Sequence, residues 1–210
     1  MRVLILVLLL IACAQGFAFA QAGGIGIFSD AGAYLDCTIV DAAPCLHPVY
    51  VVHKLCPGAT ASRFMVVSSG GFNMTYTGEI HNMPVSFGNS QTGVCLSYGA
   101  CLYSDILLIT INYFGQGLSG VCSFLEVVAD PTSPSGNIEM MDCSGNVLAA
   151  SSWKLYVNSD GSCGCWIDPF VDRVADAKPL KKATVDVPGD FCYPLPTQNG
   201  SWGQVKALYN

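Results

Sequence analysis

The sequence contains few charged residues, and this scarcity already excludes several classes of protein. Only 11% of the 210 residues are Asp, Glu, Lys or Arg, whereas 51% are apolar. Basic residues are the rarer kind, 9 against 15 acidic ones, so the formal net charge is −6. A chain of this length and apolar content can build a hydrophobic core, which excludes a disordered tail or a coiled coil. Its acidic balance is unsuited to nucleic acid or to an anionic membrane.

Apolar runs of transmembrane length are also missing. A membrane-spanning helix needs about 20 apolar residues, and the best internal stretch, residues 105–114, is interrupted by Thr110 and Asn112. The other apolar run follows Met1-Arg2 and ends in small residues, which is the pattern of a secretory signal peptide over residues 1–22. Within it, Cys13 follows Leu-Ile-Ala and is a candidate lipid anchor. We therefore predict a secreted or cell-surface protein without a transmembrane segment.

Cysteine spacings typical of zinc or haem sites are absent as well. No C-x-x-C occurs, and the tightest pair is Cys163-Gly164-Cys165. Removal of the signal peptide leaves an even number of cysteines, which in an exported chain predicts a disulfide framework. The predicted disulfide cysteines are Cys37, Cys45, Cys56, Cys95, Cys101, Cys122, Cys143, Cys163, Cys165 and Cys192. Their connectivity stays open, although Cys143 with Cys163 or Cys165 is a plausible local pair.

Short runs of β-branched and aromatic residues recur along the chain, separated by Gly, Asn, Asp, Ser and Pro. Twelve strands are predicted, over residues 24–28, 37–40, 49–54, 63–67, 72–77, 85–87, 93–98, 105–114, 121–128, 137–142, 147–150 and 153–158. No segment before residue 195 shows a helical apolar stripe over three turns. The pattern predicts an all-β fold, an antiparallel β-sandwich of jelly-roll or immunoglobulin/cohesin-like type with disulfides.

A change of composition near Cys165 predicts the domain organisation. Residues 23–165 form the β-sandwich domain, and residues 166–210 form an extension rich in proline. The extension ends in Ser201-Trp202-Gly203-Gln204, a capping-box pattern that predicts a short C-terminal helix. This helix presents four apolar side chains, Trp202, Val205, Leu208 and Tyr209. They either pack on the sandwich or form a docking tail for a partner.

Motifs that could bind a nucleotide or carry a nucleophile are weak. The sequence from Gly115 to Gly120 matches G-x-G-x-x-G, but a dinucleotide site needs a helix next, and the following residues resemble a strand. A glycine-rich hairpin explains the motif better. The nucleophile-elbow motif G-x-S-x-G is absent. We predict no cofactor.

The order of residues along the chain does not indicate which side chains could bind a metal or act as catalytic carboxylates. Three histidines, His47, His53 and His81, could bind zinc or copper only if the fold brought them together. Three glutamates, Glu79, Glu126 and Glu139, and twelve aspartates could supply a carboxylate pair for glycoside hydrolysis. The segments 142–146 and 158–161 resemble fragments of calcium loops and equally fit turns. We assign no catalytic and no metal-binding residue.

Several motifs resemble those of a family of uncharacterised exported bacterial proteins. They are Val49-Tyr50-Val51-Val52-His53, Gly58-Ala59-Thr60-Ala61-Ser62-Arg63-Phe64, Gly88-Asn89-Ser90-Gln91-Thr92-Gly93, Leu108-Ile109-Thr110-Ile111-Asn112-Tyr113-Phe114-Gly115 and the segment 136–143. The strand order also resembles cohesin-like and carbohydrate-binding β-sandwiches. These resemblances imply a β-sandwich and supply no catalytic residue.

From these observations we predict a secreted or cell-surface, non-enzymatic binding or adhesion module that recognises a protein or a glycan. One alternative is a structural subunit of an extracellular layer or filament, assembled by pairing of edge strands. A second alternative is a secreted enzyme resembling glycoside hydrolases. The oligomeric state stays open.

Overall fold

The computed structural model describes residues 23–164, and its regular elements are all strands. The ten strands are β1 (Gly24–Phe28), β2 (Thr38–Ile39), β3 (Cys45–Ser68), β4 (Thr75–His81), β5 (Val85–Asn89), β6 (Gly93–Gly115), β7 (Ser123–Val128), β8 (Glu139–Asp142), β9 (Val147–Ala149) and β10 (Ser151–Val157). The predicted all-β sandwich with disulfides is confirmed. No helix of these residues is long and apolar enough to cross a membrane.

Several sequence predictions fall outside the described residues. They are the signal peptide with Cys13, the cysteines Cys165 and Cys192, the extension over residues 166–210, the C-terminal helix, and the tail residues Trp202, Val205, Leu208 and Tyr209.

Two long strands organise the fold. The strand β3 runs antiparallel to β6 from Cys45 to Phe64. On its other edge β3 pairs in turn with β1, β8 and β7. The strand β10 connects β1 with β7, because its first residues pair in parallel with β1 and its last residues pair antiparallel with β7. The free end of the sheet is β4, which pairs with β6.

The two long strands replace four predicted ones. The predicted strands 49–54 and 63–67 are parts of β3, and 93–98 and 105–114 are parts of β6. Register shifts interrupt the β3–β6 ladder between His53 and Ala61. Leu55 and Ser104 have positive φ there. The irregular residues therefore bend the paired strands and do not reverse them.

Apolar residues of the strands form one hydrophobic core. Side chains from six strands are almost fully buried, namely Ile25, Ile27, Val49, Val51, Phe64, Val66, Leu96, Leu108, Ile109, Ile111, Leu125, Val127, Met140, Leu155 and Val157. Burying a side chain of this size stabilises a fold by about 1.5–3 kcal/mol. This core lies beneath β3 and β6, and β4 is held beside them by its pairing with β6.

The disulfides follow a different pattern from the local pairs that the sequence suggested. Cys143 is bonded to Cys101 on β6, and Cys163 is bonded to Cys122 just before β7. Pairing of Cys143 with Cys163 is therefore wrong, because the turn after β8 lies against β6. Cys37 and Cys95 are also disulfide-bonded.

Two cysteines of the predicted framework carry free thiols, which corrects that part of the prediction. Cys45 is exposed at the start of β3, and Cys56 is buried at the bend of β3. The Sγ atom of Cys56 lies 3.4 Å from the carbonyl oxygen of Leu102. Burial raises the pKa of the Cys56 thiol. That thiol is therefore protonated and unreactive at neutral pH.

Candidate functional site

The side chains on the outer surface of β3, β6 and β4 are uncharged and lie in three rows across the strands. The register aligns Leu46, Phe114 and Thr75 in one row across the three strands. The next rows are Pro48, Asn112 and Gly78, and then Tyr50, Thr110 and Ile80. We call these nine residues the uncharged face. Since neighbouring strands lie about 4.8 Å apart, all nine belong to one continuous surface.

The alternation of strand side chains explains why these residues face outward. Their sequence neighbours Val49, Ile111 and Tyr113 are at most 2% exposed and point into the core. Successive strand residues point to opposite faces, so the residues between them point away from the core. The exposed fractions are 56% for Leu46, 59% for Ile80 and 39% for Phe114.

The acidic and imidazole side chains of β4 point away from the uncharged face. Glu79 and His81 alternate with Ile80, and their side chains are 7% and 19% exposed. The Nε2 atom of His81 lies 2.6 Å from Oε1 of Glu79. Charge on this strand is therefore held beneath the uncharged face.

The group around Glu79 is a structural network and not a catalytic triad. The backbone N–H of Ser90 donates to Oε1 of Glu79 at 3.0 Å, and the Ser90 hydroxyl donates to Oε2. The amide of Gln91 donates to the hydroxyls of Ser90 and Tyr113. A triad needs histidine between the serine and the carboxylate. Here the carboxylate stands between them, and Ser90 is fully buried.

Burial also keeps the neighbouring phenol of this network neutral. Desolvation raises the pKa of Tyr113 to about 12, despite the hydrogen bond from Gln91, which lowers it. The ring of Tyr113 meets those of Phe72 and Tyr76 edge to face, with centroids 5.2 and 6.1 Å apart. The network therefore ties the turn between β5 and β6 to the underside of β4.

The uncharged face has a different boundary on each side. Toward β1 the sheet is covered, because Phe28 is only 1% exposed and its ring lies 6.3 Å from that of Tyr34. Toward β4 the sheet ends, and a register shift lies between Tyr76 and Gly78. Such a bulge blunts an edge strand against pairing with another chain.

The three histidines do not come together. His47 lies 3.2 Å from the carbonyl oxygen of Ala42, and Nδ1 of His53 lies 3.1 Å from the hydroxyl of Tyr98. His81 contacts Glu79. Among the described residues, no group of three metal-ligating side chains includes a histidine.

The three glutamates are engaged separately. Glu126 forms an ion pair with Lys154 at 3.1 Å, and Glu139 pairs with Arg63 at 3.6 Å. The hydroxyl of Ser135 also donates to Glu139. Each of the three carboxylates, including Glu79, contacts a different partner. The three glutamates therefore do not form a pair with one another.

The glycine-rich motif forms a loop that binds a carboxylate of the same chain. The backbone N–H groups of Gly117, Leu118 and Ser119 donate to Asp41 at 3.0, 3.0 and 2.8 Å. In a dinucleotide-binding motif such donors face a pyrophosphate. Here Asp41 occupies them, and Ser123–Val128, a strand, follows the loop. The sequence motif alone contained no signal for Asp41, which lies in a distant loop.

The two fragments that resemble calcium loops are turns. Oδ1 of Asp142 accepts the N–H groups of Ser144 and Asn146, both at 2.8 Å. Oδ1 of Asp160 accepts the N–H of Ser162 at 2.9 Å. These carboxylates therefore close Asx-type turns.

Comparison with known proteins gives no family assignment. No family model matches the chain, and no curated protein matches it. The resemblance to a family of uncharacterised exported bacterial proteins therefore has no supporting match.

Solved structures of cohesin modules are similar to this chain at low sequence identity and with TM-scores below 0.5. One is the sixth cohesin of scaffoldin B from Acetivibrio cellulolyticus, solved in complex with a Cel5 dockerin mutant. It is 16% identical to this chain with a TM-score of 0.47, and the match covers 67% of this chain and 100% of that chain. A non-cellulosomal cohesin from Archaeoglobus fulgidus is 10% identical with a TM-score of 0.45, over 65% and 89% of the chains. The Coh-OlpA-Doc918 complex, a type I cohesin–dockerin complex from Clostridium thermocellum, is 11% identical with a TM-score of 0.45. The match covers 65% of this chain and 99% of that chain. Similarity at this level carries no inference about function.

Proposed function

We propose that this protein is a non-enzymatic module that binds another protein through the uncharged face, at the cell surface or outside the cell. The observation that carries the proposal is the exposure of Leu46, Phe114 and Ile80 on three paired strands, within a surface of nine positions that includes no charged residue. Contiguous apolar surface of this kind marks interaction sites in soluble proteins.

The composition of the face favours a protein over a glycan. Sugar rings stack on flat aromatic side chains, and the two most exposed apolar residues of this face, Leu46 and Ile80, are aliphatic. Of its two aromatic residues, Phe114 is 39% exposed and Tyr50 is only partly exposed. Aliphatic side chains instead fill pockets between the side chains of a protein partner.

The partner must present an uncharged apolar surface of its own. Burying an unpaired charge is costly, and the uncharged face supplies no opposite charge to pair with one. Asn112, Thr75 and Thr110 add polar groups that can hydrogen-bond to the partner and set its orientation.

Assembly through the edge of β4 is less well supported. The bulge between Tyr76 and Gly78 interrupts the regular ladder, and the hydroxyl of Thr77 is bound to the carbonyl of Asn112. The structural-subunit alternative would need a long regular edge.

Site-specific photo-crosslinking of the full chain in its native host tests the proposal. Benzoylphenylalanine is placed singly at Leu46, Ile80 and Phe114, with Tyr103 and Val121, both 64% exposed, as control positions. We expect one and the same protein to be crosslinked from the three face positions and not from the controls.

Two variants sharpen this test. Ile80→Asp places a charge on one of the most exposed apolar positions of the face and should weaken binding of the crosslinked protein at least about tenfold, because burying an unpaired charge is costly. Ile80→Thr, which stays uncharged, is the matched control and should bind more tightly than Ile80→Asp. Crosslinks to glycan only, or the same products from face and control positions, would overturn the proposal.

A further inference from the structure

Two disulfide-bonded cysteines of the sandwich have partners that the pairs described above do not supply. Cys37, just before β2, and Cys95, on β6, are both disulfide-bonded. The other cysteines of residues 23–164 form the pairs Cys101–Cys143 and Cys122–Cys163 or are the free thiols Cys45 and Cys56. Within the described part of the chain, Cys37 and Cys95 could therefore be bonded only to each other.

The register of the strands keeps these two cysteines apart. The N–H of Tyr156 donates to the carbonyl of Cys37 at 2.7 Å, and through β7 this position lies level with Ser69, just after β3. Cys95 is paired with Arg63 on the same strand. Five to six residues of β3 separate the two levels, which is about 17–20 Å at 3.3 Å per residue. The Cα atoms of a disulfide lie at most about 6.8 Å apart, so Cys37 and Cys95 are not bonded to each other.

We propose that Cys37 is bonded to Cys165 and Cys95 to Cys192, so that residues 166–191 form a strap closed by two disulfides. Cys165 and Cys192 are the cysteines of the sequence beyond residue 164, and Cys13 lies in the predicted signal peptide. Each bond forms by exchange with an oxidising disulfide, such as that of an oxidoreductase of the exporting compartment. The two thiols lose two protons and two electrons, and the oxidising disulfide is reduced to two thiols. The proposal is independent of the uncharged face.

The reach of Cys165 is short because its neighbour is anchored. Cys163 is bonded to Cys122, and their Cα atoms lie 5.8 Å apart. The two residues from Cys163 to Cys165 span at most about 7 Å, and a disulfide adds at most about 6.8 Å between Cα atoms. The partner of Cys165 therefore lies within about 20 Å of Cys122.

Cys37 meets this limit and Cys95 does not. Cys122 lies two residues before Phe124, whose carbonyl accepts the N–H of Ser69, so about eight residues along the strands separate it from the level of Cys95. That separation is about 26 Å. Cys37 is two strand spacings and about three residues away from Cys122, because β2 pairs with β10 and β10 with β7. This amounts to about 14 Å. Cys165 therefore joins Cys37, which leaves Cys192 for Cys95.

The surroundings of Cys95 are suited to contact with the strap. Its sequence neighbours Val94 and Leu96 are fully buried in the main core, so the side chain of Cys95 points to the opposite face of β6. On that face lies a second, smaller apolar cluster, formed by Cys95, Ala61, Met141 and Val147. Although they face away from the main core, Cys95 is only 8% exposed and Ala61 only 5%.

The sequence around Cys192 matches this cluster in character. Cys192 is flanked by Phe191, Tyr193 and Leu195. Apolar side chains that leave water by packing on an apolar cluster stabilise the contact between them. A bond from Cys192 to Cys95 places these three residues beside the cluster.

The strap also determines where the C-terminal tail begins. With Cys192 held on β6, residues 193–210 extend from the face of Cys95. The four candidate docking residues, Trp202, Val205, Leu208 and Tyr209, all belong to this part. A partner bound by the tail is therefore tethered to the sandwich by a covalent bond and not only by the chain that follows Gly164.

Disulfide mapping of the full chain, isolated from its host without reductant, tests the assignment. Free thiols are alkylated in denaturant, and the digested protein is analysed by mass spectrometry with electron-transfer fragmentation, which cleaves S–S bonds. We expect the linked pairs Cys37–Cys165 and Cys95–Cys192. The crossed pairs, alkylation of Cys37 or Cys95, or a bond from either to Cys13 would overturn the proposal.

Single substitutions check the same assignment by a second route. Cys192→Ser should make Cys95 available for alkylation and leave Cys37 bonded, whereas Cys165→Ser should do the converse. Cys45→Ser removes a free thiol, so it is the matched control and should release neither cysteine. Release of Cys37 by Cys192→Ser would contradict the assignment.

A recognition site for a specific protease, inserted between Lys178 and Pro179, tests whether the strap is closed. After cleavage, the fragment that contains Cys192 should stay attached to the rest of the chain on a non-reducing gel and separate on reduction. The same insertion in C95S/C192S should give separation without reductant. Separation of the fragment from the otherwise unaltered chain without reductant would show that the strap is open.

Discussion

At the scale of single residues, Asp41 is the side chain on which the loop between β6 and β7 depends. It is 6% exposed and accepts three backbone N–H groups. Hydrogen bonds to a charged group contribute about 1.5–3 kcal/mol each, and unsatisfied buried donors are costly. We expect Asp41→Asn to lower the free energy of unfolding by about 2 kcal/mol, measured by urea denaturation.

Asp30→Asn is the control for this variant. Asp30 also accepts three backbone N–H groups, from Ala33, Leu35 and Asp36, but it lies in a more exposed loop. Its replacement should cost less than that of Asp41. Equal losses would show that burial does not strengthen the Asp41 contacts.

The contribution of Asp41 should also depend on pH. Burial alone would raise the pKa of Asp41, but the N–H groups of Gly117 and Ser119 and the other donors outweigh it, so the pKa is lowered. Because the pKa is lower in the folded state, the stabilisation is complete above the unfolded carboxyl pKa of about 3.9. It is lost as the pH falls through the folded pKa. The difference in unfolding free energy between wild type and Asp41→Asn should therefore be constant near neutral pH and shrink in acid.

A glycine near the end of β5 provides a second residue-scale prediction. Gly88 has a φ of +80°, and a Cβ there would lie 2.1 Å from the carbonyl oxygen of Gly93. A left-handed conformation costs an L-residue about 1–2 kcal/mol, and the steric clash adds to this. Gly88→Ala should lower the melting temperature markedly, measured by calorimetry.

Gly32→Ala is the matched control for that turn. A Cβ at Gly32 meets no atom within 4 Å, and its φ is not in the left-handed region. This variant should change stability by less than about 1 kcal/mol. If both alanine variants behaved alike, the turn geometry would be wrong.

At the scale of elements, the two described disulfides should stabilise the fold to a similar extent. Cys101–Cys143 and Cys122–Cys163 span 42 and 41 residues. The chain-entropy model gives about 4 kcal/mol for loops of this length. Replacing either pair by serine should lower the unfolding free energy by about that amount at neutral pH, measured in urea without reductant. A loss below about 1 kcal/mol for either pair would contradict the prediction.

The existence and type of most strands could be predicted from the sequence, whereas the continuity of β3 and β6 could not. Gly58 and Gly99, which have φ of +127° and +72°, lie inside these strands. Glycine with positive φ serves turns and bulges alike. Only the pairing of β3 with β6 on both sides of the irregular residues shows that the chain bends and continues.

The uncharged face was also invisible in the sequence, for a related reason. Leu46, Ile80 and Phe114 are far apart in the chain, and their neighbourhood depends on the register of three strands. The bulge in β4 also interrupts the alternation of outward-facing and inward-facing residues along that strand. The partners of the three glutamates and of the histidines also depend on the fold, so the order of residues along the chain could not identify them.

At the scale of the whole molecule, the charge distribution predicts how binding responds to salt. The net charge is −6, but none of it lies on the uncharged face. Long-range repulsion is screened by salt, while contacts between apolar groups are not. The affinity for the proposed protein partner should change less than about threefold between about 0.05 and 0.5 M NaCl, measured by calorimetry. A steep loss of affinity with salt would point to a charged interface elsewhere.

The predicted export can be examined independently of the fold. Removal of the signal peptide should leave a chain that begins near Gln21 or Gly23, because small residues end the apolar run there. Mass spectrometry of the protein from its host should show the loss of Cys13. An intact N-terminus, or a lipid on Cys13, would contradict this processing.

The parallel pairing of β1 with β10 has a mechanical consequence. Gly24, Ile25 and Gly26 lie beside Ser151, Ser152 and Trp153, and β1 is held on its other edge by β3. Since β1 and β10 run in the same direction, the chain enters β1 and leaves β10 at opposite ends of their ladder. Tension applied between the start of β1 and the end of β10 therefore shears the strands along each other, and the bridging hydrogen bonds share the load instead of opening one by one. A β-module pulled from these two points resists stretching, and its lifetime under force is set by its unfolding rate.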